Sequence, residues 1–201
     1  EVYAPKAFKE QFIGEIPTSD ESSLIGRTMS ILLYDLTKNF QHTTTKLRFK
    51  IVEVRGNKAY TIFWGHELTR DFIRSLIHRG SSRIDGIFNF TSADGVVYRV
   101  STFVVTLRRV KQSQMKTIRL IIHDVMQQFA DNLSHEKFIQ GIIFEKFSEN
   151  IKKIAKTIYP LRECKIRKVK VVKVPEGLTD KIEVSSDEDF EEMEVELGEH
   201  G

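Results

Sequence analysis

The chain has 201 residues, 40% hydrophobic and 29% charged, which excludes a wholly disordered protein and leaves room for one large domain or two small ones. Its one cysteine, Cys164, excludes an internal disulfide and a zinc site built from several cysteines. The net charge of +3 combines 31 basic with 28 acidic residues. Nine of the acidic residues, and no Lys or Arg, lie in residues 182–201. The rest of the chain therefore has 19 acidic residues and a net charge of +12.

The first part of the chain predicts an arm and a hairpin. Residues 1–25 hold two prolines and a Ser/Asp cluster without a sustained period, which predicts an extended N-terminal arm. Three strands follow, predicted from alternating apolar and β-branched residues, and the Gly56-Asn57 turn signal joins the last two as a hairpin. Their predicted ranges are 26–35, 46–55 and 58–64.

A short helix and a second hairpin come next. Apolar residues recur at helical spacing from Leu68 to Ile77, which predicts an amphipathic helix over 67–79 with Glu67 in its first turn. Gly80 is expected to end this helix. The second hairpin is predicted to comprise strands 84–91 and 96–110 with a turn at 93–95.

The second half of the chain opens with helices and closes with a strand. A clean helical stripe of apolar residues predicts a helix over 113–130. Ser134 is placed to cap a second helix, which runs to about residue 157 because Pro160 forces a stop. Residues 161–174 are rich in β-branched residues and predict a late strand that returns to the earlier sheet.

Together these elements predict an α+β fold. It is an antiparallel-rich twisted sheet or partial barrel, packed with one short and two long helices, with an extended N-terminal arm and an acidic C-terminal tail. The predicted units are the arm over 1–25, a single α+β domain over 26–175 and a flexible acidic tail over 176–201. The tail is either a solvated block that aids solubility or a shield for the basic surface before its partner binds.

The sequence contains no recognisable catalytic motif. It lacks glycine-rich phosphate loops, a nucleophile elbow and an HExxH zinc signature, and its six histidines are scattered without metal-ligand spacing. Cys164 is therefore predicted to be an inert thiol, and no metal or cofactor is expected. A metal-dependent nuclease would need converging carboxylates, for which the candidates are Asp35, Glu67, Asp71 and Asp94.

Basic residues form three clusters along the chain. One runs through the first predicted helix and its exit, a second lies within 107–119, and a third occupies the last strand. In that strand both alternating sets of side chains contain bases, so we expect an edge or projecting strand. A basic body with distributed patches favours recognition of RNA shape and phosphates. Solvated faces, and lysines that protect a strand edge from aggregation, are the alternative interpretations.

Short segments in a fixed order resemble one known family. They are "APKAF" at Ala4–Phe8, "IGR" at Ile25–Arg27, "LYDLT" at Leu33–Thr37, "GHELTRD" at Gly65–Asp71, "RSLIHR" at Arg74–Arg79, "QSQ" at Gln112–Gln114, "IYPL" at Ile158–Leu161 and "KVP" at Lys173–Pro175. Through these segments the chain resembles the S3Ae family of small-subunit ribosomal proteins of archaea and eukaryotes. The segments are most similar in form to those of archaeal members.

The resemblance implies a role without catalysis. Such a protein binds small-subunit rRNA on the platform, near the 3′ end and the mRNA exit, beside other ribosomal proteins in the cytoplasm. Messenger RNA is a further expected partner, whereas a membrane and a small-molecule substrate are not expected. Members usually begin with a basic, aromatic segment before "APKAF", so we expect an RNA-contacting arm to be missing from this sequence. The acidic tail matches no motif of the family.

The expected rRNA contacts are basic residues that neutralise phosphates and fix the register of the protein on the RNA, without reading bases. A free-standing RNA-processing or translation factor and a protein-interaction scaffold are the alternative functions. The predicted contacts are Lys6, Arg27, Arg70, Arg74, Arg83, Arg108, Arg109, Lys111, Lys116, Arg119, Arg167, Lys168 and Lys170.

Overall fold

The computed structural model describes residues 1–5, 8, 10–18 and 21–175, so the predicted acidic tail lies outside the described residues. Within these ranges the chain forms eight strands and five α-helices, with 3₁₀ turns at Glu21–Leu24 and Phe40–Thr44. The strands are β1 (Val2–Tyr3), β2 (Phe12–Gly14), β3 (Thr28–Leu32), β4 (Thr45–Arg55), β5 (Lys58–Leu68), β6 (Arg83–Thr91), β7 (Val97–Thr106) and β8 (Leu161–Lys173). The helices are α1 (Leu33–Thr37), α2 (Arg70–Leu76), α3 (Gln112–Asn132), α4 (His135–Ile143) and α5 (Lys146–Ala155).

One mixed sheet holds all the described strands. One path of six strands runs β3-β4-β5-β8-β7-β6 with antiparallel neighbours. At β5 the sheet also branches to β1, which lies parallel to the start of β5 and antiparallel to β2. This architecture confirms the predicted α+β class and the mostly antiparallel sheet. β5 and β8 meet over three residue pairs only, from Gly65 opposite Lys170 to Glu67 opposite Lys168. We call this short contact the seam.

Helices pack on both faces of the sheet. The main core lies between one face and α3–α5, where the stripe of α3 buries residues such as Ile118 and Met126. Successive residues of a strand point to opposite faces. Val104 therefore belongs to this core, whereas Phe103 and Val105 pack against α2 on the other face. Each fully buried apolar side chain of this size contributes about 1.5–3 kcal/mol, so both layers hold the sheet in place.

The helix predicted over 67–79 is shorter and begins later. β5 continues to Leu68 because β4 and β8 pair with both sides of this part of the strand. The placement of Glu67 in a first helical turn is therefore wrong, since Glu67 is a strand residue. Gly80, with a φ of +89°, does not end the helix either, because the C-cap of α2 is Ile77.

The second of the two long helices predicted is in fact two helices. α4 ends at Ile143 and α5 begins at Lys146, and between them Glu145 has the left-handed φ of +61°. The break places the ring of Phe147 on Gly141, where an added Cβ would lie 2.4 Å from the ring. Apolar residues continue at helical spacing through the break, so periodicity alone predicts one uninterrupted helix.

Three other element boundaries differ from the prediction. The strand expected over 26–35 ends at Leu32, where α1 begins. The strand expected over 96–110 ends at Thr106, which leaves the following arginines in a loop. The extended N-terminal arm is not confirmed, because β1 and β2 lie within the first 25 residues and β1 pairs with β5.

β8 is not the edge strand predicted from its charges. It pairs with β7 along its length and with β5 at Lys168–Lys170, so it is internal to the sheet there. Arg167 is the extra residue of a β-bulge, because Ile166 and Lys168 oppose consecutive residues of β7. The buried positions change across the bulge from Cys164 and Ile166 to Val169 and Val171. This change in alternation explains why bases occur in both alternating sets of an internal strand.

Candidate nucleic-acid interface

Three connections of the chain meet at one end of β6 and β7. Thr106 at the end of β7 donates its backbone N–H to the carbonyl of Ser82 at 3.0 Å, and the N–H of Ser82 donates to Thr106 Oγ1 at 3.0 Å. The Thr106 residue is fully buried, and its hydroxyl donates to the carbonyl of Arg108 at 2.6 Å. Tyr159, from the α5–β8 connection, donates its hydroxyl to the carbonyl of Arg109 at 3.2 Å. The backbone that carries these arginines is therefore held from two sides.

Three bases, Arg108, Arg109 and Lys111, project from this junction, and we call them the loop cluster. Their side chains are exposed, and none forms an ion pair within the part of the chain that the structure describes. An arginine fork matches the oxygens of a phosphate, and a lysine acts as a point charge. The loop cluster can therefore bind an anion without first breaking an ion pair.

Two further predicted contacts, Arg83 at the start of β6 and Arg119 on α3, are engaged with Asp85. Arg83 donates from Nε and Nη2 to Asp85 Oδ1 at 2.9 and 2.8 Å, and its guanidinium lies 5.7 Å from the ring centroid of Phe103. Arg119 donates from Nε to the backbone carbonyl of Asp85 at 3.1 Å. The positive charge of Arg83 is thus partly neutralised, and the Arg119 side chain is tethered.

A second basic group surrounds a cavity of about 100 Å³ at the seam, and we call Arg48, Trp64, Glu67, Lys168 and Lys170 the seam cluster. The strands approach closely here because Gly65 has no side chain. A Cβ at that position would lie 2.7 Å from the backbone oxygen of Val169. The ammonium of Lys50, on β4, lies 4.5 Å from the centroid of the Trp64 ring.

The carboxylate of Glu67 joins the two sides of the seam. Glu67 Oε2 accepts hydrogen bonds from Arg48 Nη2 at 3.1 Å and from Lys168 Nζ at 2.8 Å. Burial alone would raise the pKa of Glu67, but the hydrogen bond and charge of Lys168, with the charges of Arg48 and Arg167, lower it below its ordinary value. Glu67 therefore stays ionised and neutralises part of the seam cluster.

Next to Glu67 in the chain, His66 is a buried histidine that lines the same cavity. Burial lowers its pKa from 6.5 to about 4, and the nearby charge of Glu67 opposes this shift only in part. Its Nδ1 is the one buried side-chain nitrogen or oxygen, among the described residues, without a hydrogen-bond partner. The imidazole is therefore neutral at pH 7 and adds no charge to the seam cluster.

The remaining predicted contacts lie on separate elements. Arg70 and Arg74 are exposed on α2, Lys116 is exposed on α3, and Arg27 is exposed just before β3. Lys6 lies outside the described residues. The structure thus brings together the bases of the loop cluster, and separately those of the seam, but does not unite the thirteen predicted residues in one surface.

Sequence reasoning missed three residues at the seam: Arg48, Lys50 and Trp64. A signal for the two bases was present, because Lys46, Arg48 and Lys50 alternate with buried residues along β4. No local pattern indicated Trp64, whose place beside β8 depends on pairing between strands about a hundred residues apart in the chain.

No group of three or more His, Cys, Asp or Glu side chains among the described residues is placed to hold a metal ion, and the four carboxylates named as candidates do not form one. Cys164 is buried, and burial raises the pKa of its thiol to about 12. Among the described helices, none is both long and apolar enough to cross a membrane.

Comparison with known proteins gives a consistent family. The model of the ribosomal S3Ae family matches residues 1–175. The small ribosomal subunit protein eS1 of Saccharolobus solfataricus is 44% identical over 185 residues, which are 92% of this chain and 89% of that protein. The eS1 protein of Saccharolobus islandicus (strain L.S.2.15 / Lassen #1) is 42% identical over the same shares, and that of Methanothrix thermoacetophila is 42% identical over 87% of this chain and 82% of its own length.

Proposed function

The chain belongs to the ribosomal S3Ae family, and from this membership we propose that it is a structural constituent of the small ribosomal subunit that supports translation without catalysis of its own. The relatives named above are small ribosomal subunit proteins of archaea, and the match spans nearly the whole described chain. Its partners are then the small-subunit rRNA and neighbouring ribosomal proteins, and its location is the cytoplasmic ribosome.

We further propose that the protein binds rRNA on the platform of the subunit, near the 3′ end and the mRNA exit. The observation that carries rRNA binding is the loop cluster, where Arg108, Arg109 and Lys111 are exposed without acid partners in the described chain. The hydrogen bond from Thr106 already holds the loop backbone at Arg108. Binding therefore costs conformational entropy in the side chains but not in the loop backbone. These bases neutralise phosphates and fix the position of the protein on folded RNA.

The subunit role is tested by sedimentation. Native extract is separated on a sucrose gradient after a high-salt wash, and the chain is quantified against small-subunit proteins. Stoichiometric presence in the small-subunit peak is expected. Presence only in light fractions would contradict a structural constituent and favour a free-standing factor.

The rRNA contact is tested by charge reversal. The double variant Arg108→Glu and Arg109→Glu should weaken binding to small-subunit rRNA and flatten the plot of log affinity against log salt by about 0.7–0.9 for each phosphate that the protein no longer neutralises. The matched control is Lys153→Glu with Lys156→Glu, which reverses two exposed bases at the end of α5. An unchanged slope in the arginine variant, or an equal effect in the control, would remove the loop cluster from the interface.

A further inference from the structure

We propose that the cavity at the seam binds one unpaired cytidine of an RNA strand, with its base against Trp64 and its amino group on Glu67. This inference rests on the proposed function, because rRNA is the partner that supplies the nucleotide. It goes further by assigning base recognition to residues that the charge pattern alone associates with phosphates.

The size of the cavity favours a single ring. A cavity of about 150 Å³ takes a benzene molecule, so the seam cavity of about 100 Å³ admits the edge of one six-membered ring, and the second ring of a purine would have to stay outside it. Trp64 lines the wall, and aromatic side chains are the usual platform for an unstacked base. Lys50, which lies over the indole, has a long side chain that can exchange this contact for a phosphate.

The hydrogen-bonding group in the cavity favours an amino donor. Arg48 and Lys168 both bind Oε2 of Glu67, and Oε1 has no hydrogen bond within the described part of the chain. The two cations fix the carboxylate, so Oε1 is an oriented acceptor. A carboxylate of this kind accepts from N4 of cytosine. Uracil presents a carbonyl oxygen at the same position, which the carboxylate repels.

The surroundings complete a site for one nucleotide. Lys170 is exposed at the rim, opposite Gly65, and forms no ion pair within the described residues, so it is available for the phosphate.

The test uses the fact that Trp64 is the only tryptophan of the chain. The chain of residues 1–201 is titrated with the RNA pentamers UUCUU and UUUUU, and quenching of tryptophan fluorescence is recorded. We expect UUCUU to bind at least about fivefold more tightly, the lower end of the discrimination that one good base-edge contact provides. The two probes carry the same phosphates, so non-specific charge attraction cancels in the comparison.

The variant that isolates the proposal is Glu67→Gln. An amide both donates and accepts, so the preference for cytidine should fall below about twofold. The matched control is Glu53→Gln, which removes a carboxylate from the exposed pair between Glu53 and Arg55, 2.6 Å apart on β4 and outside the cavity. This control should keep the preference for cytidine.

Binding of small-subunit rRNA is measured on the same samples. Equal binding of both pentamers, or a preference that survives Glu67→Gln, overturns the cytidine site. If rRNA binding persists in that case, the proposed function stands. If the parent chain binds no rRNA and neither pentamer quenches its tryptophan fluorescence, both proposals are overturned.

Discussion

The loop cluster and the seam cluster carry similar bases in different surroundings. In the loop cluster, Arg108 and its neighbours are exposed without acid partners in the described chain, on a backbone held by Thr106. In the seam cluster, Arg48 and Lys168 share the carboxylate of Glu67. Exposed charges are screened by salt, whereas buried titratable groups respond to pH. A count of basic residues therefore overstates the positive charge that the seam cluster presents to a polyanion. The contributions of the two clusters can be distinguished by varying salt and pH independently.

The largest effect expected at the seam is a loss of stability in acid caused by His66. Its pKa falls from 6.5 in the unfolded chain to about 4 in the folded protein because the imidazole is buried. Between these pH values the unfolded chain binds a proton that the folded chain does not, so stability falls as the pH falls through this window and levels off below it. The expected contribution is about 3 kcal/mol, at 1.36 kcal/mol for each pKa unit.

Urea unfolding at a series of pH values between 7 and 3.5 measures this contribution. The variant His66→Leu replaces the imidazole with an apolar side chain of similar size. Its free energy of unfolding should therefore fall by about 3 kcal/mol less over this pH range than that of the parent chain. The control is His78→Leu, since His78 is an exposed residue between α2 and β6. A pH dependence that is unchanged in His66→Leu would show that the imidazole is not buried uncharged at the seam.

The next effect concerns the loop cluster and its buried support. Thr106→Val keeps the shape of the side chain but removes the hydroxyl, which leaves the N–H of Ser82 and the carbonyl of Arg108 without this partner. Each of these two hydrogen bonds contributes about 0.5–1.5 kcal/mol, so their loss costs roughly 1–3 kcal/mol. We expect a loss of stability of that size, measured by urea unfolding, and weaker rRNA binding because the backbone of Arg108 is released.

Thr106→Ser is the matched variant, since it keeps the hydroxyl and removes one methyl group, worth about 0.8 kcal/mol. It should retain rRNA binding. If the serine variant bound rRNA as weakly as the valine variant, the hydroxyl would not be what positions the loop cluster.

The elements that the sequence predicted well are those set by local patterns. The stripe of α3 and the hairpin of β4 and β5 follow from spacing and from the Gly56 turn, and both are present. The failures have non-local causes. Glu67 stays in β5 because β4 and β8 pair with both sides of this part of the strand. The second long helix breaks where the ring of Phe147 packs on the backbone of Gly141, which has no side chain.

The candidate site divides in the same way. Arg108, Arg109 and Lys111 are neighbours in the chain, so their cluster was predictable although the strand was expected to continue through the two arginines to residue 110. The seam depends on a bulge at Arg167 and on the pairing of Glu67 with Lys168, and no local pattern reveals either. The charges in both alternating sets of the last strand therefore led to the wrong prediction of an edge strand. A single inserted residue reverses which side chains face the core, and the charge pattern alone does not reveal it.

The smallest effect tests whether ion pairing, rather than position, decides which arginine contributes to rRNA binding. Arg83 and Arg108 lie on the two segments joined by Ser82 and Thr106. Within residues that the structure describes, Arg83 donates to the carboxylate of Asp85 at 2.8 Å, whereas Arg108 has no carboxylate partner. Arg108→Gln should reduce the salt slope of rRNA binding by about 0.7–0.9, the value of one phosphate contact. Arg83→Gln should reduce it by less than half as much, because binding a phosphate there requires Asp85 to give up its partner. Equal reductions in filter-binding titrations would show that the ion pair with Asp85 does not prevent Arg83 from binding a phosphate, so that ion pairing alone would not distinguish the seam cluster from the loop cluster.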